Sequence, residues 1–203
     1  MTAPLRAVGA LHGRLVFSRR ARVLAREAAA LLPPGRILDV GCGSGTIARA
    51  IAESRPDVAI EGFDVLVRPD AAIPVRPFDG VHIPVPDGAA DAALLVDVLH
   101  HVEDPAALLA ECARAARVVV VKDHLAEGPA GRALLRVMDW VGNRPHGVVL
   151  RYSYFSRTSW RAACDAACLA TAAEGSLADL YPFPFSAAFG RDLHFIARLE
   201  RVP

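Results

Sequence analysis

The sequence predicts an α/β fold, a doubly wound sheet whose strands are mostly parallel and joined by helices. Three observations predict it. An apolar run carrying an acid, Ile37-Leu38-Asp39-Val40, passes into the alternating glycines Gly41, Gly43 and Gly45 and then into a helical pattern from Thr46. That order describes a buried strand, a tight turn and a helix N-terminus that backbone alone lines. Apolar runs and helical periodicities keep alternating as far as Val121, as parallel strands with right-handed crossovers require. Acids stand where runs end, at Asp64, Asp79, Asp97 and Asp123, and such sheets bind ligands at the carboxyl ends of their strands.

In chain order, residues 1 to 17 carry no regular pattern, and Gly9 and Gly13 suit an irregular lead-in. From Ser18, an N-cap residue type, Val23, Leu24, Ala28, Leu31 and Leu32 fall on or near one helical face until Pro33-Pro34-Gly35 stops it. The first strand delivers Asp39 and the glycine turn, and Thr46 to Glu53 is a helix with Ile47, Ala48 and Ile51 toward the sheet. Val58 to Phe63 is a second strand ending in Asp64. Pro74, Pro77 and Pro84 make the next stretch loop-like, with a short third strand from Val75 to Phe78 leading to Asp79. Ala92 to Val98 is apolar almost throughout, as a strand buried on both faces is. Asp104-Pro105 is an N-cap with proline at the first helical position, followed by Leu108, Leu109, Cys112 and Ala116 as an apolar stripe. Val118 to Val121 is strand five. An insertion is expected from Lys122 to Phe155, with a helix from about Ala130 to Val141 that stops at Gly142-Asn143. Ser156 or Thr158 caps a helix through Cys168, and Leu169 to Glu174 can pair with Asp192 to Leu199 as the last two strands.

Size and composition bound the reading. The chain has 203 residues, 53% of them apolar, which suits one domain spanning 1–203 with a substantial core. With 23 basic and 22 acidic residues the formal charge is +1, too balanced for a duplex or RNA binder. No apolar run approaches the roughly 18 residues of a membrane span, so a soluble cytoplasmic protein is expected. Cys42, Cys112, Cys164 and Cys168 show no Cys-x-x-Cys spacing, and Cys164 and Cys168, one helical turn apart, suit a buried helix face; no disulfide and no metal are expected. Lys122 is the sole lysine, a compositional bias given no functional weight.

A glycine-rich turn alone also fits a dinucleotide fold, but the third glycine stands at 45, and Thr46 occupies the place where a dehydrogenase fingerprint wants glycine or alanine. Asp39 with Gly-x-Gly-x-Gly, Asp64 after the second strand, Phe78-Asp79-Gly80 after the third, and Asp91 through Val102 at the fourth strand and its exit together resemble the class I S-adenosylmethionine (SAM) dependent methyltransferases. The likeness is greatest to small-molecule enzymes such as the ubiquinone-pathway type, and it is strongest over residues 35 to 122. The resemblance implies a Rossmann-like seven-stranded sheet with an antiparallel last strand. It further implies that SAM, leaving as S-adenosylhomocysteine, is held by Asp39, Gly41, Cys42 and Gly43 at the turn. Asp64 would meet the ribose, Asp79 and Gly80 the adenine, and Val65, Asp97 and Val98 would complete the donor site.

On the acceptor side, the N-terminal helix and the insertion 122–155 are expected to form a substrate lid, with the loop Gly175 to Arg191 overhanging it. Arg19 and Arg20 are read chiefly as solvated surface charges. His101, Trp140, Asn143, His146 and Tyr152 are candidate substrate contacts, since polar-tipped aromatics commonly wall pockets. Methyl transfer is an in-line displacement that needs a base only when the acceptor arrives protonated. His124, placed directly past strand five beside Asp123, is the candidate; Asp123 either orients the imidazole or itself takes the proton. His100 and His101 leave strand four, whereas His12, His82 and His194 have no such placement. At the exit of strand four, Val98-Leu99-His100-His101 replaces the Asn/Asp-Pro-Pro-Tyr of methyltransferases that grip planar amines, which favours a small-molecule acceptor methylated on oxygen or, less well, on carbon or nitrogen. The expected partner is therefore a small molecule, the protein being a monomer or homodimer. The alternatives are a SAM-fold enzyme that decarboxylates or cyclises, a noncatalytic SAM-binding subunit, and, on the glycine spacing less well, a nicotinamide oxidoreductase.

Overall fold

The computed structural model describes residues 18–143, 151–183, 186 and 193–202, with backbone alone at 141–143. Its strands are β1 (Gly35–Val40), β2 (Val58–Asp64), β3 (Val75–Pro77), β4 (Ala90–Val96), β5 (Ala116–His124), β6 (Leu169–Glu174) and β7 (His194–Arg201). Its helices are α1 (18–31), α2 (Thr46–Ser54), α3 (Pro105–Ala115), α4 (Pro129–Asn143) and α5 (Arg157–Ala166). The strands form one sheet in the order β3-β2-β1-β4-β5-β7-β6. β7 is antiparallel to both of its neighbours, and the other pairings are parallel. This is the doubly wound Rossmann-like sheet expected; β7, however, lies inside it, and β6 forms the edge.

Alternation along the strands divides the core between the two faces. Leu38, Val40, Leu95, Val119 and Val121 point to one face, where α3 contributes Leu108, Leu109 and Cys112 and α5 contributes Cys164. Ile37, Leu94, Val118 and Val120 point to the other, against Leu24 and Ala28 of α1 and Ile51 of α2. β4, with Ala92, Ala93, Leu94 and Leu95 all fully buried, is the central two-sided strand that its apolar run requires.

Local signals fix several boundaries. Asp104 accepts the Ala107 N–H at 2.9 Å and Pro105 opens α3; Ser156 and Ser159 form a reciprocal capping box on α5. Several boundaries differ from the sequence reading, among them that at Ala116, which opens β5 and is not on the α3 stripe. β4 ends at Val96, because Asp97 takes the left-handed φ of 58° and Leu99–His101 forms a short 3-10 turn. β5 runs on through Lys122, Asp123 and His124, because β7 continues to pair with it as far as His124 opposite His194. These charged residues are thus strand residues, and the expected insertion opens only after His124. α5 stops at Ala166, so Cys164 is buried while Cys168, at φ 55°, is exposed beyond the helix and shares no buried face with it.

Candidate active site

The carboxyl ends of β1, β2, β4 and β5 lie side by side, and two polar regions sit along that edge. The first is the glycine turn. Gly41 adopts φ +73°, and a Cβ there would stand 2.6 Å from the Val98 side chain, so the turn touches the β4 exit closely enough to exclude a side chain. At Gly43 an added Cβ would meet nothing within 4 Å, so the turn is open on its outer side. Asp64 reaches back over it: Oδ2 accepts the Gly43 N–H at 2.7 Å and Oδ1 accepts the Leu66 N–H at 2.9 Å. Each oxygen keeps a second lone pair for a hydroxyl. Asp39 is buried beneath, and burial together with the nearby Asp64 pushes its carboxyl up to about 7. Burial, then Asp39 and Asp64, push the Cys42 thiol up to about 12, which keeps it protonated and unreactive.

Beyond Asp64, Gly80 approaches Val65, and Val65, Leu66, Val67 and Val81 are all large apolar side chains left exposed. Asp79 Oδ1 accepts the N–H groups of Val81 and His82 at 2.8 and 2.6 Å, holding the carboxyl at about 2. It therefore caps its own turn, and an adenine amine would share Oδ2 with His82, 3.1 Å away.

The second region is a buried ionic network on β4, β5 and β7. Asp97 is its hub, hydrogen-bonded to the Arg20 guanidinium of α1 and to the Lys122 ammonium of β5. Burial alone would raise the Asp97 carboxyl, but Lys122 and Arg20 outweigh it and hold it well below the usual range. Lys122 is fully buried; burial lowers its ammonium from the ordinary value, against the pull of Asp97. Its Nζ stands 3.2 Å from His194 Nδ1. An ammonium has only donors, so that imidazole accepts at Nδ1 and carries its proton on Nε2.

Asp123, fully buried beside this hub, accepts the Leu99 N–H on Oδ2 at 2.9 Å and the His124 N–H on Oδ1 at 2.7 Å. Oδ1 also lies 2.6 Å from His100 Nδ1 and 3.3 Å from His124 Nδ1. With that many donors its carboxyl is held far below the usual value despite burial. These donors place Asp123 to orient its neighbours, and a carboxyl held this low is a weak base. His124 Nδ1 faces two carboxylates, Asp123 at 3.3 Å and Asp97 at 3.5 Å, which fixes the proton on Nδ1 and leaves a lone pair on Nε2. Burial and the Lys122 charge lower its pKa, so the ring is neutral at pH 7. His100, 1% exposed, has Asp123 at Nδ1 and Asp139 Oδ1 3.6 Å from Nε2. Burial opposes its charge, but Asp123, Asp139 and Asp97 raise it to about 10.

His101 is half-buried and tilts against His100 at 3.9 Å between ring centroids; burial and the His100 charge lower it. Tyr152 is half-buried with φ 56° and has the Arg136 guanidinium over its ring, in a satellite cluster with Leu135 and Tyr154. Trp140 is 49% exposed on α4. His146 lies outside the described residues, as do His12 and the side chain of Asn143.

The structure thus brings Asp97, Asp123, His124 and His101 together and sets the glycine turn beside them. It also adds residues that sequence reading set aside. Lys122, dismissed as compositional, is a buried counter-ion. His194, given no placement, is paired with His124 by the β5–β7 register, and the two rings lie 4.8 Å apart. Arg20 is in the ionic hub, and is not a solvated charge; Arg19 does lie at the surface, donating to the Asp179 carbonyl. Asp139 and Tyr154, joined at 2.6 Å, tie α4 to the segment following residue 150. His100, Asp123 and His124 place ligating atoms within 4.8 Å of one another, a spacing a metal ion also satisfies. The charges argue otherwise: Arg20, Lys122 and His100 already match Asp97, Asp123 and Asp139, and a divalent ion would add unbalanced positive charge to a buried site.

A glycine turn clasped by an acid at the head of a doubly wound sheet ordered 3-2-1-4-5-7-6 defines the class I SAM-dependent methyltransferases. A family model described as "Methyltransferase domain" matches residues 12–171, and the chain belongs to that family. A curated relative, the ubiquinone biosynthesis O-methyltransferase of Sodalis glossinidius, is 32% identical over 90 residues, covering 38% of this chain and 35% of that one. The matched part spans about a third of the length of the curated relatives. Among solved structures, a SAM-dependent methyltransferase from Thermotoga maritima described as a possible histamine N-methyltransferase superposes with a TM-score of 0.63 at 18% identity, over 97% of both chains. The mitomycin 7-O-methyltransferase MmcR superposes at 0.63 and 20% identity, over 90% of this chain and 54% of that one. Among the described residues, no helix is long and apolar enough to cross a membrane.

The hub has a direct consequence for stability. Asp97→Ala strips the fully buried Lys122 of its carboxylate and should cost about 3–5 kcal/mol. Lys122→Met, which leaves Asp97 paired with Arg20, should cost clearly less; urea unfolding of the two variants measures the order, and equal losses would refute it.

Proposed function

We propose that this methyltransferase methylates an oxygen of a small biosynthetic molecule, with His124 as general base, Asp123 as its orienting carboxylate, and α1 with the segment after β5 as the acceptor's cover. The observation that carries the reading is the pair of carboxylates at His124 Nδ1, which leaves Nε2 as a lone pair able to take a hydroxyl proton. SAM, when bound, supplies a methyl group on a sulfonium for in-line displacement. The chain's residues hold the donor and receive the proton. Gly41, Cys42 and Gly43 admit the amino acid end, Asp64 accepts from the ribose hydroxyls, and the exposed Val65 and Val81 flank the adenine. Support for an oxygen acceptor comes from the Sodalis relative's name and from the histidines where amine-gripping enzymes carry Asn/Asp-Pro-Pro-Tyr. His101, Trp140, Tyr152, Asn143 and His146 are the proposed acceptor contacts. Release of S-adenosylhomocysteine with the true acceptor separates methyl transfer from decarboxylation, cyclisation or a purely binding role.

Four measurements test the assignment. His124→Ala should lower kcat by roughly 10²–10⁴-fold while SAM affinity stays within a few fold. Wild-type kcat should fall toward acid as the His124 imidazole, lowered from the usual value, takes up a proton; unchanged turnover in the variant removes it as base. Asp64→Ala should weaken SAM binding by ~1.5–3 kcal/mol, the range for a hydrogen bond to a charged group, and calorimetry giving wild-type affinity would overturn the ribose role. Asp39, with its carboxyl at about 7, should lose its proton when the donor's cationic end binds beside it. SAM affinity should then rise roughly tenfold from pH 6 to pH 8, and Asp39→Asn should flatten that dependence in titration calorimetry.

A further inference from the structure

We propose that His100 is a positioning residue for methyl transfer: clamped between Asp123 and Asp139 as a fixed imidazolium, it pins the carboxylate that sets the tautomer and aim of His124. The proposal rests on His124 being the base and adds the group that makes it one.

The geometry leads from one ring to the other. His100 Nδ1 donates to Asp123 Oδ1 at 2.6 Å, and the same oxygen is 3.3 Å from His124 Nδ1, with the two rings edge to face at 4.7 Å between centroids. A carboxylate taking a short charge-assisted bond on one side has its oxygen fixed for the weaker bond on the other. The second carboxylate decides the state of His100. Among the described residues its Nε2 is buried with no hydrogen-bond partner inside 3.5 Å, and Asp139 Oδ1 stands 3.6 Å from it. A ring nitrogen facing a carboxylate at that distance is stabilised as N–H, because a lone pair there would oppose negative charge.

Among the described residues, these charges surround the pair. His100 is faced by Asp123 and His124 from β5, Asp139 from α4, Tyr154 from the segment after residue 150, Asp97 from the β4 exit, and His101 from its own turn. His124 is faced by Lys122 and Asp123 of its own strand, by Asp97, by His100, by His194 of β7 and by Tyr154. With His100 charged, three cations match three carboxylates. With His100 neutral, the buried network carries an uncompensated negative charge, and His124 becomes the nearest group able to neutralise it by protonating. A protonated His124 is no base. His100 therefore takes the charge so that His124 need not, while staying 1% exposed against 5% for His124.

The direct test uses the wild-type protein. Imidazole 15N resonances should show both ring nitrogens of His100 protonated from pH 6 to 8.5, with His124 neutral and protonated on Nδ1 above pH 7. His100→Gln keeps a donor for Asp123 but removes the charge. It should lower kcat by roughly 10- to 100-fold, the cost of a misaimed group, with SAM KM within twofold. The acid limb of its pH–rate profile should move upward by about one pH unit, as loss of a unit charge a few ångströms away demands. A merely structural role would lower activity without moving that limb. A neutral His100 in the wild-type spectra, or an unmoved limb in the variant, overturns the proposal, and the spectra decide alone if the variant does not fold. A His124→Ala enzyme with normal turnover would instead sink the base assignment, whatever the state of His100.

Discussion

The arrangement of this site depends on two buried carboxylates on adjacent strands, Asp97 at the exit of β4 and Asp123 near the end of β5. Neither could be ionised in an apolar interior without compensation, and each recruits it from elements that would otherwise be unconnected. Asp97 draws in Arg20 of α1 and Lys122 of β5. Asp123 draws in His100 and two backbone N–H groups. Through Asp139 and Tyr154 the network reaches α4, and through Tyr181, which hydrogen-bonds Arg20, it reaches the loop before β7. The electrostatics of two strand ends thus tie α1, α4 and the segments around Tyr154 and Tyr181 to the sheet.

The two polar regions of the edge are built differently. The glycine turn uses backbone geometry and one clasping acid, and its chemistry lies in what side chains leave open. The histidine cluster uses side chains throughout, and its chemistry lies in which nitrogen carries a proton. Three imidazoles a few ångströms apart are held in three states by their partners: His100 as a cation, His124 protonated on Nδ1 and His194 on Nε2. Val98, packed on Gly41 one residue beyond Asp97, is the physical contact between the halves.

The legibility of these halves in the sequence follows the same division. The strand-turn-helix around Asp39 and Gly41 is a local pattern, and Asp64 sits at a strand end one unit later, so both could be read directly. The alternation of strands and helices and the two-sided burial of β4 followed from apolar runs. Lys122 could not be recognised as a counter-ion, since its partner lies on another strand and Arg20 on a third element. His194 depends on a register seventy residues away in sequence, opposite His124. The early end of β4 depends on Asp97 accepting a left-handed backbone, a strain of about 1–3 kcal/mol. Propensity does not foretell it; the ion pairs of Asp97 hold it in place.

The interior position of β7 bears on how the chain is made. β5 pairs with β4 on one side but needs β7 on the other, so during synthesis its Lys122 and His124 face an unfilled groove until residues 194–201 leave the ribosome. Pairings this distant in sequence form late and slowly. The glycine-turn half of the sheet has all its strands once β4 has emerged, whereas the histidine-cluster half waits for β7.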